Sequence, residues 1–121
     1  MKKVFITRKL LKSNEKRISN IWEAKLNSED KIYSQRELIE LSRDCDGILC
    51  SILDKFDAEI INKLSDKVKI ISNFAVGFGN IDIKATKKKN IIVTNTPDVL
   101  TDATAEIAIL LLLGAARRAT E

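Results

Sequence analysis

The sequence has no histidine among its 121 residues. Imidazole is the usual general acid–base group near neutral pH and a common metal ligand, so these residues can form neither an imidazole catalyst nor a histidine-ligated metal site. Cysteine is nearly absent as well: Cys45 and Cys50 are five apart, with no second pair to complete a zinc site and without the C-x-x-C spacing of a redox pair. We therefore predict no metal, two buried thiols and a reduced, cytoplasmic protein.

Proline, glycine and long hydrophobic runs are also scarce. One proline and four glycines exclude a collagen-like or low-complexity chain, while 45% apolar and 31% charged residues are typical of a globular domain. The apolar run from Ile107 to Ala116 has ten residues, whereas about 20 are needed to span a bilayer. Basic residues interrupt the N-terminal stretch where a signal peptide would lie. We expect no membrane association.

Positive charge is concentrated at one end of the sequence. Residues 1–17 carry seven lysines or arginines against one acid, whereas residues 18–121 carry fourteen against sixteen. Such a stretch can be a nucleic-acid patch or an ordinary solvated surface around a first strand. The absence of interleaved aromatic residues for base stacking favours the surface, and we expect no nucleic-acid partner.

Short β-rich runs alternate with helical ones, a pattern typical of βαβ units around a parallel sheet. Ser34 and Glu37 have the spacing of a capping box. Asp57 is predicted to cap a short helix, and Ser13 or Asn14 the first helix. The predicted strands cover residues 4–7, 24–27, 47–50, 68–72 and 91–94. Together these elements predict a flavodoxin-like, three-layer α/β fold with a five-stranded parallel sheet.

The last segment, residues 100–121, differs from residues 1–99 because it contains no strand. Thr101 is a predicted N-cap, and the pair Arg117–Arg118 is predicted in the last turn of one long helix. A helix that is apolar on every side must be buried on every side. We expect residues 101–119 either to pair with a second copy of the chain, as a homodimer, or to pack on a further part of a longer protein.

A glycine loop follows the predicted fourth strand, in the stretch from Ile70 to Asn80. Ligands of open α/β sheets bind outside the carboxyl ends of the strands, and the missing side chains of Gly77 and Gly79 let backbone N–H groups approach a carboxylate or phosphate. The alternative is a tight connection with both glycines at positive φ. The loop is not a complete dinucleotide fingerprint, since Asp82 stands where G-x-G-x-x-G has its third glycine, and no P-loop is present.

No nucleophile is indicated by the polar residues around the strands. Asp44, Asp46 and Asp54 resemble the acidic cluster of a receiver domain, but the first two precede their strand and so belong to the opposite edge of the sheet from Asp54. Ser51 and Ser72 have no base that the sequence identifies. We assign no catalytic residue.

A second informative segment, Val93 to Glu106, joins the last strand to the long helix. The N-terminus of that helix offers unpaired N–H groups and positive potential to an anion. It can equally be a plain loop and cap, with Thr104 only a polar residue of the first turn.

Two motifs carry a family resemblance that covers essentially the whole sequence. Asn73-Phe-Ala-Val-Gly-Phe-Gly-Asn-Ile-Asp82 and Val93-Thr-Asn-Thr-Pro-Asp-Val-Leu-Thr-Asp-Ala-Thr-Ala-Glu106, with Arg117–Arg118 closing the helix, closely resemble the N-terminal region of the D-isomer-specific 2-hydroxyacid dehydrogenases. The opening Val4–Arg8 and the run 95–102 look most like the glyoxylate/hydroxypyruvate reductase and D-glycerate dehydrogenase branch. The resemblance implies a flavodoxin-like substrate domain whose long helix crosses to a separate Rossmann domain for NAD or NADP.

The same resemblance implies site residues. Backbone groups at Val76 and Gly77 are expected to hold the carboxylate of a small 2-oxo or 2-hydroxy acid, and Leu53, by its position after the third strand, to flank it. Val76 and Thr104 match the cofactor contacts that this half of the family's enzymes makes. Gly79 departs from the family pattern, in which aspartate is common at that position.

The family's catalytic groups are not in this sequence. The arginine, histidine and acid that act on the substrate follow the Rossmann fingerprint, so we expect the 121 residues to be the inactive first part of a longer enzyme. Two alternatives remain open at this point: a stand-alone flavodoxin-like binding or assembly module, and a fragment of a phosphoglycerate dehydrogenase.

Overall fold

All five predicted strands form in the computed structural model, which describes residues 1–119. The strands are β1 (Lys3–Ile6), β2 (Glu23–Lys25), β3 (Gly47–Ser51), β4 (Ile70–Phe74) and β5 (Ile92–Thr94). The helices are α1 (Lys12–Ile21), α2 (Gln35–Ser42), α3 (Ala58–Lys63), α4 (Ile83–Lys88) and α5 (Thr101–Ala116). The sheet is parallel throughout, in the order β2-β1-β3-β4-β5, which confirms the predicted α/β architecture.

The fourth strand lies two residues later than predicted. Val68 is buried, but its N–H donates to Ser65 O at 3.0 Å in the turn after α3 instead of joining the sheet. At the other end the pairing with β3 continues to Phe74, opposite Ser51. Hydrophobicity located the buried residues of this segment, whereas the register with β3 decided where the strand begins and ends.

Two helix caps form as predicted. The Ser34 side chain accepts a hydrogen bond from Glu37 N while the Glu37 carboxylate accepts from Ser34 N, which completes the capping box of α2. Asp57 Oδ1 accepts from Ile60 N at 3.1 Å at the start of α3. Both caps are local pairs of residues three apart, so they need nothing from the tertiary structure.

Two other predicted caps are wrong. Helix α1 begins at Lys12 with Leu11 as its N-cap, so Ser13 and Asn14 already lie in the first turn; Glu15 Oε1 accepts instead from the N–H of Leu10, at 3.0 Å. Likewise Leu100, not Thr101, is the N-cap of α5. Helix α1 thus starts two or three residues earlier than its polar residues suggest, and α5 one residue earlier.

One face of the sheet is covered by α2, α3 and α4. Alternate strand residues such as Phe5, Ile48 and Ile71 point into this core, which includes both free thiols and so confirms that the cysteines are buried. Its members are Phe5, Leu38, Cys45, Ile48, Cys50, Phe56, Ile60, Ile61, Leu64, Val68, Ile71, Ile81, Ala85 and Ile91.

Of the helices within residues 1–119, α1 alone covers the other face of the sheet. Ile18 of that helix and Trp22, which follows it, line a groove of about 410 Å³, together with Ile70 and Ser72 of β4. Ile92 of β5, on the same face, is 61% exposed. The described chain therefore has one closed and one open sheet face.

Ion pairs neutralise part of the basic N-terminal stretch. The Lys2 ammonium lies 2.8 Å from Asp46, and the Lys3 ammonium lies 2.5 Å from Asp44. These acids follow α2 and precede β3, at the amino edge of the sheet and opposite the edge where Asp54 lies. The pairing favours the surface interpretation of the basic stretch.

Helix α5 is exposed along its length. Every residue from Thr101 to Leu113 is exposed, so the expected burial is not provided by residues 1–119. The arginine pair Arg117–Arg118 follows the helix and is not in its last turn, a correction to the prediction. Residues 120 and 121 of the predicted final segment lie outside the described residues. Within residues 1–119 no helix is long and apolar enough to cross a membrane.

Candidate substrate site

Three of the residues implied by the sequence motifs lie at one edge of the sheet. Strands β3 and β4 are neighbours and end opposite each other, at Ser51 and Phe74. The β3 loop (residues 52–56) and the β4 loop (residues 75–81) therefore leave the sheet side by side. Leu53 is 62% exposed and Val76 36% exposed, and Gly77 is exposed beside them.

Thr104 belongs to a different element. It is exposed in the first turn of α5, where its hydroxyl donates to Leu100 O at 2.8 Å. No hydrogen bond within residues 1–119 joins it to the β3 loop or the β4 loop.

The glycines of the β4 loop are not required by backbone conformation, since no glycine among residues 1–119 has a positive φ. The positive φ values expected in the tight-connection alternative are therefore wrong, although Ile81 N donates to Phe78 O at 3.0 Å and closes a turn that contains Gly79. Packing does not require them either, because a Cβ placed at Gly77 or Gly79 would meet nothing within 4 Å. At Gly47, by contrast, it would lie 2.9 Å from Ile70 Cγ2. The space beside the β4 loop is open to whatever approaches from solvent.

The carbonyl groups at the start of the β4 loop are all taken by donors of the protein. Asn73, which is buried at the end of β4, donates through Nδ2 to Gly77 O at 2.9 Å. Asn95 Nδ2 donates to Val76 O at 2.8 Å, and Thr96 N donates to Ala75 O at 3.0 Å.

Four successive N–H groups of the same loop have no such partners within residues 1–119. From Val76 to Gly79, none donates to an acceptor of residues 1–119. Hydrogen bonds to its carbonyl oxygens thus fix the backbone of this loop and leave successive N–H groups available. Such a row of donors is suited to binding an anion. The loop can accept a carboxylate without rearranging its own hydrogen bonds.

The Asp54 side chain fixes the start of the β3 loop by hydrogen bonds to Thr7 and Ser51. It is 2% exposed, and its Oδ2 accepts from Thr7 Oγ1 at 2.6 Å, Ser51 N at 2.8 Å and Ser51 Oγ at 3.2 Å. Its Oδ1 has no partner within residues 1–119. Sequence reasoning missed this role, although the Ser-x-x-Asp spacing after a strand was a usable signal. The contact holds the Ser51 hydroxyl in the turn, because the same hydroxyl also accepts from Leu53 N at 3.3 Å.

Arg8 and the Cys50 thiol lie near this edge, but Arg8 is held in an ion pair and Cys50 is buried. Arg8 follows β1 and makes two hydrogen bonds to the Asp30 carboxylate, of 2.8 and 2.9 Å, which hold the pKa of Asp30 well below its usual range. Burial, with a smaller contribution from the Asp54 charge, raises the pKa of the Cys50 thiol to about 12. Residues 1–119 contain no cluster of three cysteine, aspartate or glutamate side chains that could hold a metal ion.

The sequence also matches known proteins. The pattern of the D-isomer specific 2-hydroxyacid dehydrogenase catalytic domain matches residues 4–120. A glyoxylate reductase from Thermococcus litoralis is 44% identical over 119 residues, covering 98% of this chain and 36% of its own length. A glycerate dehydrogenase from Hyphomicrobium methylovorum is 38% identical over 120 residues, covering 99% of this chain and 37% of its own length.

Solved structures agree on the fold. A D-isomer specific 2-hydroxyacid dehydrogenase from a Polaromonas species, described as NAD-binding, superposes with a TM-score of 0.85 at 31% identity, over 95% of this chain and 36% of that one. A glyoxylate/hydroxypyruvate reductase from Sinorhizobium meliloti, solved with NADP and malonate, gives 0.73 at 27% identity, over 93% and 34%.

This chain spans little more than a third of the length of the proteins it matches. The match nevertheless runs through both motifs, the whole sheet and the loops at its carboxyl edge. The chain belongs to the D-isomer-specific 2-hydroxyacid dehydrogenase family, as the two motifs predicted.

Proposed function

We propose that this chain is the substrate-binding part of an NAD(P)-dependent oxidoreductase that interconverts 2-oxo acids and D-2-hydroxy acids of the glyoxylate, hydroxypyruvate and glycerate type. The observation that carries the proposal is the β4 loop, whose carbonyl oxygens are bound by the protein while its N–H groups from Val76 to Gly79 are available. The names of the relatives, glyoxylate reductase and glycerate dehydrogenase, support the substrate class.

The substrate carboxylate is placed on the N–H groups of Val76 and Gly77. Neutral backbone donors suit this role because they supply hydrogen bonds without a counter-charge that must be desolvated. Leu53, exposed on the neighbouring β3 loop, covers the short carbon chain of the acid.

The nicotinamide cofactor, when bound, gives or takes a hydride at the carbon that carries the substrate oxygen. Two residues of this chain would touch it: Val76, whose side chain is partly exposed, and Thr104, whose hydroxyl donates within α5 and keeps its oxygen free to accept. Both fit the role of peripheral contacts. We expect no turnover by these 121 residues alone, because the family moves the proton with a histidine and the sequence has none.

We propose that the protein is cytoplasmic and forms a homodimer. The contact between the two copies is residues 101–119, which include helix α5. Its isoleucine and leucine side chains from Ile107 to Leu113 are between 55% and 69% exposed, which is an apolar surface that water does not favour. Light scattering of the purified chain tests this: we expect a dimer, and a clean monomer at high concentration would contradict it.

Binding of oxalate, a small dicarboxylate, tests the site directly. We expect saturable amide shifts in ¹⁵N NMR spectra, largest at Val76 and Gly77. In Gly77→Ala the added methyl group meets no protein atom, so folding is unchanged, but it occupies the anion's approach and should weaken binding about tenfold or more. Gly114→Ala on α5, where a methyl group also meets nothing within 4 Å, is the matched control and should bind as wild type.

Two outcomes would contradict the proposed function. One is oxalate binding that Gly77→Ala leaves unaffected, which would mean that the β4 loop does not bind the carboxylate. The other is robust NADH or NADPH oxidation by the 121-residue chain with glyoxylate or hydroxypyruvate, which would contradict the expected inactivity.

A further inference from the structure

We propose that Asn80 is the positioning residue of this site, holding the β3 loop and the β4 loop in one fixed arrangement; the proposal rests on the proposed function. The Asn80 side chain lies at the end of the β4 loop and reaches across to the β3 loop. Its Nδ2 donates to Asp54 O at 2.9 Å and to Ser51 O at 3.1 Å.

These two carbonyl groups are the ends of the turn that carries Leu53. Asp54 N donates to Ser51 O at 3.1 Å, which closes the turn, and Asn80 binds the carbonyl oxygen at each end. The position of Leu53 relative to the sheet is therefore set by a side chain of the other loop.

On its other side Asn80 is tied to the anion-binding part of the β4 loop. It exchanges hydrogen bonds with the buried Asn73 amide, which donates to Asn80 Oδ1 at 2.9 Å and accepts from Asn80 Nδ2 at 3.3 Å. Asn73 Nδ2 also donates to Gly77 O at 2.9 Å. A continuous path of hydrogen bonds thus runs from the Leu53 turn through Asn80 and Asn73 to Gly77.

Backbone contacts reinforce the same junction. Asn80 O accepts from Phe56 N at 2.8 Å, and Asp82 N donates to Phe56 O at 2.9 Å, while the Phe56 ring is fully buried in the core. The bases of the two loops are therefore fixed, while Leu53 and Phe78 at their tips are exposed. Substrate that bridges the loops finds both sides already in place, which lowers the entropy lost on binding.

The role requires an amide. Asn80 acts as donor to two carbonyl groups and as acceptor from Asn73 at once, and a carboxylate has no donor to offer. Asn80→Asp keeps the size of the side chain and the acceptor but turns a negative oxygen towards Ser51 O and Asp54 O. We expect the two loops to separate in this variant while the sheet stays folded.

The test is amide hydrogen exchange of the ligand-free chain, combined with the oxalate titration. Asp54 N donates to Ser51 O in the β3 loop, and Ile81 N donates to Phe78 O at 3.0 Å in the β4 loop. In Asn80→Asp we expect exchange about tenfold faster or more at both N–H groups, as loss of one or two hydrogen bonds gives. Exchange at Ile71 N in the core should keep its wild-type rate. Oxalate binding should weaken about tenfold, and the Leu53 amide should no longer shift with oxalate.

Two matched variants separate the linking role from general effects. Asn95→Asp makes the same change at a residue whose amide donates, among the acceptors of residues 1–119, to Val76 O alone, so Asp54 N should stay protected. Asn62→Asp, at an exposed position of α3, should change nothing. Asn80→Ala, which adds no charge, replaces Asn80→Asp in the same measurements if the aspartate variant does not fold.

Each result decides between the two proposals. Unchanged exchange at Asp54 N and Ile81 N, a change in only one loop, or equal acceleration at Ile71 N would overturn the positioning role of Asn80. Wild-type oxalate affinity in Asn80→Asp would also overturn it, with the proposed function intact. If the unmodified chain does not bind oxalate, the proposed function fails, and the exchange rates of the two loops still decide the role of Asn80.

Discussion

The two faces of the sheet differ in burial far more than in sequence. Ile71 of β4 points to the closed face and is 0% exposed, whereas Ile92 of β5 points to the open face and is 61% exposed. Both belong to the apolar strand runs that are typical of a sheet covered on both sides. The burial of an apolar strand residue thus depends on its helix cover and on its place in the sheet: β5 is an edge strand, whereas Ile6, on the open face beside Ile18 of α1, is 1% exposed.

Thiol reactivity gives the largest expected contrast between the faces. Cys50 lies on the closed face, and burial raises the pKa of its thiol to about 12. A thiol introduced by Ser72→Cys, in the groove on the open face, should react with a maleimide roughly a thousand times faster at pH 7.5, because far more of it is thiolate and reagent can reach it. Mass spectrometry of a labelling time course measures both rates. Equal rates would mean that the open face is covered in solution.

Side-chain truncation should follow the same division. Ile71→Ala removes fully buried methyl groups and should lower the free energy of unfolding by about 2 to 5 kcal/mol. Ile92→Ala, the same change on the open face, should cost less than about 1 kcal/mol. Urea denaturation of the two variants measures this difference. If Ile92→Ala costs as much as Ile71→Ala, the exposure of β5 does not describe the chain in solution.

A methyl group added to β3 tests whether the groove on the open face leaves space for Ile70 to move. In Gly47→Ala the new Cβ would lie 2.9 Å from Ile70 Cγ2, a contact that is too close without movement. Ile70 borders the groove and has space to shift, so we expect a loss of about 1 to 2 kcal/mol, at the low end for overpacking. Thermal unfolding measures it. A loss above about 3 kcal/mol would show that Ile70 cannot move into the groove.

The smallest expected effect is electrostatic and lies in α2, one of the helices of the closed face. The Lys31 ammonium, followed by the N–H and hydroxyl of Ser34, lowers the pKa of Glu37 from its ordinary value of 4.5 to about 2. A lowered pKa contributes stability above pH 4.5 that is lost as the pH falls towards 2. Glu37→Gln should therefore be less stable than wild type at pH 7, with the difference vanishing near pH 2. Unfolding curves across this range measure it, and a difference that does not vary with pH would contradict the assignment.

Much of the fold was predictable because its signals are local. The capping box of Ser34 and Glu37 and the cap at Asp57 form as predicted, since each needs only residues three positions apart. The caps of α1 and α5 were wrong because hydrophobic residues, Leu11 and Leu100, occupy the N-cap positions. Both leucines are exposed and neither provides a capping hydrogen bond, so side-chain preference is a weak guide to the residue at which these helices start.

The candidate site also has features that the sequence predicts and features that it does not. The glycine loop was recognisable from the sequence, and its position after β4 follows from the parallel order of the strands. The role of Asp54 had one local signal, the Ser51-x-x-Asp54 spacing, but its other partner, Thr7, is 47 residues away along the chain. The link that Asn80 makes to Ser51 spans 29 residues and was not recognisable. Pattern reading detects neighbours at fixed spacing, and these two long-range contacts have none.

The sequence by itself determined the α/β class, the strand and helix order and, through two motifs, the family. Those properties depend on hydrophobic periodicity, composition and local capping, which are signals between residues close together in sequence. Only the tertiary structure decided which sheet face is closed, which carbonyl groups of the β4 loop are already bound and how Asn80 joins the two loops. These features depend on contacts between residues far apart in sequence, and such contacts exist only once the sheet has brought the strand ends together.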